Sequence, residues 1–200
     1  MALCTALLST LKWPAVTLLY GESGSGKTTL ALEFVKTFCL DGPCLYVTTD
    51  VDHTVERAEM MKIKLENIVM YRLVSAESLL DVVLRQDLPR FNLIVIDPIS
   101  EYIYVDELPT SITLFAQAIL QRVSELFGLP VIETSQPTFD PKDGVVRPRG
   151  YKHLLFWVNN LIRLERGEQG QNKRRAVVEA PREAVFAFTI ERGGVRWINC

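Results

Sequence analysis

Two hundred residues, 48% of them hydrophobic and 23% charged, suit one α/β domain and leave no room for two full catalytic domains. That composition excludes a disordered or fibrous chain. The formal charge of −2 hides an asymmetry: residues 142–182 hold ten Lys or Arg against four Asp or Glu, whereas the rest of the chain carries 12 against 20. Such a basic block reads either as a phosphate-contacting face or as a solvated surface.

The apolar start, MALCTALLSTLKWPAV, is interrupted by Lys12, Trp13 and Pro14, short of the roughly 20 residues that cross a bilayer. It also lacks the charged leader of a secretory signal. It is expected to pack on the core as a helix or strand, in an intracellular protein with no membrane partner. The run VTLLY (16–20) then leads through a glycine-rich loop into a helical pattern from Lys27 to about Cys39.

This strand, loop and helix order recurs. Strands are expected at 44–49, 68–72 and 92–97, with helices from about Thr54 to Lys64 and over 76–86. The strands are short and unalternating, as in a parallel sheet covered on both faces. A long helix from about Pro109 to Phe127 ends at Gly128 and Pro130, ahead of another buried strand, 131–135. Residues 136–152, with Pro137, Pro141 and Pro148, read as an irregular loop, and a loop of that length is more often functional than structural. Beyond it, 161–166, 174–180, 185–190 and 195–198 alternate with turns and predict antiparallel strands that extend the sheet.

Cys4, Cys39, Cys44 and Cys200 show no CxxC pair and no histidines at metal-ligand spacing, which argues against a zinc site. They read as buried free thiols, with a Cys39–Cys44 disulfide across the turn Asp41-Gly42-Pro43 as the alternative.

The segment GESGSGKTT, comprising Gly21, Glu22, Ser23, Gly24, Ser25, Gly26, Lys27, Thr28 and Thr29, fits G-x4-G-K-[ST] between a strand and a helix. Glycines let such a loop curl so that backbone N–H groups point inward, and the helix N-terminus adds partial positive charge. The expectation is an ATP site in which Lys27 reaches the β and γ phosphates and the Thr28 hydroxyl ligates Mg²⁺. Four apolar residues run into Asp97, placing a carboxylate at a strand tip, where it either completes the Mg²⁺ shell or caps the next turn.

Taken in order, PAVTLLYGESGSGKTTLAL (14–32), LYVTTD (45–50), VER (55–57), NLIVID (92–97), PVIETSQ (130–136) and KRRAVVEAPREAVFAFTIERGGV (173–195) resemble the RecA/RadA recombinase core, most closely short archaeal RadA paralogs of RadB type. The likeness covers almost the whole chain. It implies a RecA-like P-loop NTPase, with a mainly parallel sheet flanked by helices and antiparallel C-terminal strands. It further implies one ATPase core domain over 1–200; the sequence departs from the family in leaving no room for an N-terminal helix-hairpin-helix domain and in showing no Phe-x-x-Ala tail ahead of the core, which argues against a filament-forming strand-exchange enzyme.

Residue by residue, the resemblance puts Asp50 where the family's glutamate polarises the attacking water, one methylene shorter here, against the plainer reading of a helix cap. It puts Arg57 on the adenine, against the plainer reading of a surface arginine, and makes Gln136 the sensor of the γ-phosphate, against an ordinary turn glutamine. The 137–152 loop becomes a single-stranded DNA contact through Lys142, Arg147, Arg149 and Lys152. Glu179-Ala180-Pro181 falls where recombinases cap the ATP of a neighbouring subunit. Tyr151, Phe156 and Trp157 read either as base-stacking residues or, beside Leu154 and Leu155, as core.

The function implied is a slow, DNA-dependent ATPase acting as an accessory factor in recombination or repair, with a recombinase or another repair protein as a partner. The alternative is a KaiC-like nucleotide-gated module that binds a protein and hardly hydrolyses ATP, motivated by the aspartate at position 50. A small-molecule kinase is the weakest reading, because no lid segment with paired arginines is evident.

Overall fold

The computed structural model describes residues 3–103, 108–141, 144–167 and 172–200, with only the backbone at 108 and 109. In chain order the elements are α1 (Thr5–Thr10), β1 (Val16–Tyr20), α2 (Lys27–Phe38), β2 (Cys44–Thr48), α3 (Val51–Met60), β3 (Ile68–Arg72), α4 (Ala76–Arg85), β4 (Leu93–Asp97) and α5 (Leu108–Phe127). There follow β5 (Val131–Ser135), β6 (Pro137–Asp140), β7 (Val145–Pro148), α6 (Tyr151–Leu154), β8 (Asn160–Arg166), β9 (Lys173–Ala180), β10 (Ala184–Glu191) and β11 (Gly194–Trp197).

Nine strands form one sheet in the order β11-β10-β9-β8-β1-β5-β4-β2-β3. From β8 to β3 every pairing is parallel, and from β8 outward to β11 every pairing is antiparallel. This is the α/β, RecA-like arrangement expected from the sequence. The unalternating runs have the expected cause: β1, β2, β4 and β5 are buried at every position, because helices cover both faces.

The two-residue period sorts those side chains into two cores. Leu19, Tyr46, Val95 and Ile132 pack with α1 and α2, while Leu18, Leu45, Val47, Ile94 and Ile96 pack on the opposite face with α4 and α5. The parallel strands therefore all point their C-terminal ends to one edge, where the loops that carry chemistry collect.

Three expectations are corrected. The described residues of 136–152 are not irregular: β6 and β7 form an antiparallel hairpin, followed by the single turn of α6. Pro137 and Pro148 face each other at the hairpin's open end, where a two-stranded ribbon tolerates the missing donors, and a diagonal Asp140–Arg147 ion pair of 3.2 Å braces its middle. Helix α3 starts at Val51 rather than near Thr54, because Asp50 caps it by accepting from the His53 amide at 3.0 Å. The cysteines are not free thiols: Cys4 is bonded to Cys200 and Cys39 to Cys44, with Cα separations of 5.7 and 5.8 Å. Proximity of Cys4 to Cys200 follows from α1 packing beside the β10–β11 hairpin, which a separation of 196 residues conceals.

Among the described residues, no helix is long and apolar enough to cross a membrane.

Candidate functional site

The loop after β1 curls back on itself before entering α2. Gly26, the N-cap of α2, has φ +102°, a conformation that calls for glycine, and its bare α-carbon is packed by Ile190 of β10, whose Cδ1 would lie 2.8 Å from an added Cβ. The Lys27 ammonium is folded into the loop, donating to the carbonyls of Gly21 (2.6 Å) and Glu22 (2.9 Å). Burial lowers its pKa, and Arg166 adds to that against the opposing pull of Asp97. Ser25 contributes a buried hydroxyl with no hydrogen-bond partner.

Across the loop stands Asp97, the last residue of β4 and almost fully buried. Its carboxylate accepts three hydroxyls. Thr28 Oγ1 donates to Oδ2 at 2.7 Å, Tyr46 donates to the same oxygen at 2.9 Å, and Thr134 donates to Oδ1. Strand register explains the convergence: Thr48 is level with Asp97 on the neighbouring β2, and Tyr46 on the same face reaches up from one pleat below. The phenol is fully buried, and burial together with Asp97 holds its pKa well above the usual tyrosine value.

The donor set fits a divalent cation and a polyphosphate. A threonine hydroxyl that donates to Asp97 still presents lone pairs to a metal, and the carboxylate is a hard oxygen ligand. The orphaned Ser25 hydroxyl and the inward lysine likewise suit an anion in the loop.

The loop, Asp97, Asp50, Arg57 and Gln136 line one cleft of about 610 Å³, the size of an ordinary cofactor site. Asp50 lies at its wall with one oxygen engaged in capping α3. Arg57 is anchored, its guanidinium donating to the carbonyls of Glu191 (2.7 Å) and Arg192 (3.1 Å) and to Thr29 Oγ1 (3.2 Å), so it ties α3 to the turn after β10.

Gln136 joins the cleft to the hairpin. Its amide donates to Ser100 Oγ at 3.2 Å, and its carbonyl accepts the Arg149 amide at 2.7 Å. A shift of Gln136 therefore pulls on the base of the hairpin directly.

Of the four basic residues expected to contact DNA, Arg149 and Lys152 are exposed. Arg147 pairs with Asp140, and its guanidinium lies 5.1 Å above the Tyr151 ring centroid. Lys142 lies outside the described residues. Phe156 is 82% exposed and belongs to no core, against the core alternative for that residue, whereas Trp157 is half-buried. Glu179 accepts from the Tyr20 hydroxyl and from Arg163 Nε, both at 2.8 Å, at the end of β9.

Sequence reasoning missed Tyr46, Thr134 and Ile190. Tyr46 and Thr134 were legible in principle as polar residues one pleat or one strand from Asp97. Ile190 was not, because its contact depends on how β10 folds over the loop.

A sequence-family model described as an AAA domain matches residues 14–105, the segment that carries the phosphate loop and Asp97. Two curated relatives match over nearly the whole chain, both described as DNA repair and recombination protein RadB. The protein from Thermococcus sibiricus is 27% identical over 205 residues, covering 92% of this chain and 87% of its own length. The protein from Methanosphaera stadtmanae is 24% identical over 199 residues, covering 89% and 86%. With the strand order and loop geometry described above, these matches show that the chain is similar to RecA/RadA-like proteins of RadB type.

Proposed function

We propose that the chain is one ATPase core that binds ATP with Mg²⁺, hydrolyses it slowly in response to single-stranded DNA, and serves inside the cell as an accessory factor in recombination and repair. The observation that carries this reading is the convergence of Lys27, Thr28 and Asp97 in a cleft whose rim residue, Gln136, holds the base of the hairpin. The RadB relatives support the assignment to repair and recombination, with a recombinase or another repair protein as partner.

In this reading Lys27 leaves the Gly21 and Glu22 carbonyls to neutralise the β and γ phosphates, and the loop amides hold the remaining oxygens. Thr28 and Asp97 would hold Mg²⁺, which when bound offsets charge on the phosphates. Asp50 orients the attacking water with the oxygen not engaged in capping α3. Gln136 senses the γ-phosphate and transmits its position to the segment 137–152, of which Lys142, Arg147, Arg149 and Lys152 contact DNA phosphates without regard to sequence. Arg57 borders the base.

The test is ATP turnover with and without single-stranded DNA at low and high salt, beside Lys27→Ala. Stimulation that salt weakens and Lys27→Ala abolishes is the expected outcome; tight nucleotide binding with no turnover and no response to DNA would overturn the ATPase. One observation favours the second reading, a KaiC-like nucleotide-gated protein-binding module: the short side chain of Asp50 is held in a helix cap. In that case Asp50→Asn would leave turnover at its already negligible level while nucleotide binding persisted.

A further inference from the structure

Strand β8 runs beside the phosphate loop beyond the end of β1. Tyr20, the last residue of β1, is paired with Arg163, so residues 164–166 lie alongside the start of the loop. Two loop glycines register that contact. A Cβ on Gly21 would collide with the Leu164 carbonyl oxygen, and one on Gly24, where φ is +71°, would collide with the Arg166 guanidinium, with Cζ at 3.1 Å. The head group of Arg166 is thus laid against the bare α-carbon of Gly24.

Arg166 differs from its neighbours in charge balance. Arg163 pairs with Glu165 and Glu179, and Arg175 pairs with Glu165. Arg166 has no ion-pair partner among the described residues. A second cation therefore lies against the loop from the β8 side, lining the groove beside Gly21 and Glu22 rather than the nucleotide cleft itself.

We propose that Arg166 is a specificity-determining residue of the nucleotide site, biasing it toward nucleoside triphosphate over diphosphate within its own chain. This rests on the nucleotide-binding reading above. The physical reason is charge: the terminal phosphate adds negative charge to the ligand, so a fixed cation beside the loop favours the longer chain. One unit charge acting over about 8 Å at an effective dielectric of about 40 corresponds to roughly a fivefold change in affinity.

The experiment is calorimetric titration of the full chain with a non-hydrolysable ATP analogue and with ADP, each with Mg²⁺, for the wild type, Arg166→Ala and Arg166→Lys. Arg166→Ala is expected to weaken the triphosphate about fivefold and ADP less than twofold, with Arg166→Lys retaining most of the preference. An unchanged ratio, or an equal loss for both nucleotides, overturns the proposal. Should Arg166→Ala not fold, the same ratio measured for Arg166→Gln decides. Recovery of triphosphate affinity when Arg166→Ala is mixed with Lys27→Ala chains would show that the arginine acts on a neighbour instead, and would overturn action within the chain. A wild type that binds no nucleotide overturns the nucleotide reading together with this one, whereas a wild type that binds and an Arg166→Ala that keeps its ratio overturn this one alone.

Discussion

Two buried side chains put the chemistry of single residues to the test. Tyr46 is one of three hydroxyls holding the Asp97 carboxylate, and its ring fills the core between β2 and α2. Tyr46→Phe keeps the ring and removes only the donor, so it should cost about 1.5–3 kcal/mol of stability, the range for a hydrogen bond to a charged group, read from urea unfolding at neutral pH. Glu133 lies in the middle of β5 with no exposure, hydrogen-bonded by Gln117 Nε2 at 2.7 Å and with its other oxygen unpartnered. Burial raises its pKa from 4.5 to about 8. A glutamate whose folded pKa lies above its unfolded value binds a proton in the folded state that the unfolded state has already lost, so stability falls as pH rises from about 4.5 to 8. Glu133→Gln abolishes that titration, and its denaturation midpoint should gain on the wild type between pH 5 and pH 8; parallel pH profiles would refute the assignment.

At the scale of elements, the hairpin β6–β7 with α6 is where the structure adds most to what the sequence shows. Its cations Arg149 and Lys152 are exposed, as is Phe156 a few residues on. Replacing both by alanine should weaken single-stranded DNA binding and lower the magnitude of its log-log salt slope by roughly 1.4, about 0.7 for each phosphate no longer neutralised; anisotropy titrations over a salt series measure both. An unchanged slope would mean that these side chains face solvent. The sequence made the central strands legible because complete burial leaves unbroken apolar runs, as in LIVID, and it made the loop legible because its glycines and lysine stand at fixed spacing. The hairpin was hidden because four-residue strands bounded by prolines carry too little alternation to be told from a loop. The start of α3 lies earlier than its apolar pattern suggests because the cap is a single side chain, Asp50, whose type suits a water-orienting role as well as a helix start. The polar character of Tyr46 and Thr134 shows in the sequence, but their approach to Asp97 depends on β2 and β5 flanking β4 in the sheet, an order that a linear pattern of strands does not reveal.

Across the whole molecule, the parallel half of the sheet carries the cleft, while the antiparallel half packs against its phosphate loop and α3 through Ile190, Arg166 and the turn that receives Arg57. Glu33 strengthens that packing: buried in α2, it accepts the Val195 amide of β11 at 2.7 Å, joining the helix that begins at the phosphate loop to the last hairpin. The Cys4–Cys200 bond fastens the same hairpin's end to α1, closing a loop with a sequence separation of 196 residues. A cross-link that long restricts the unfolded chain strongly, by about 5 kcal/mol on the loop-entropy estimate, while adding no new packing to the folded state. Cys200→Ser should therefore lower the denaturant midpoint substantially without changing nucleotide affinity, because the bond lies on the α1 side and none of its atoms line the cleft. A fall in nucleotide affinity parallel to the fall in stability would show instead that the clamp on β11 reaches the site through Glu33 and Arg57, making the packing of the antiparallel half against the loop a mechanical requirement for binding.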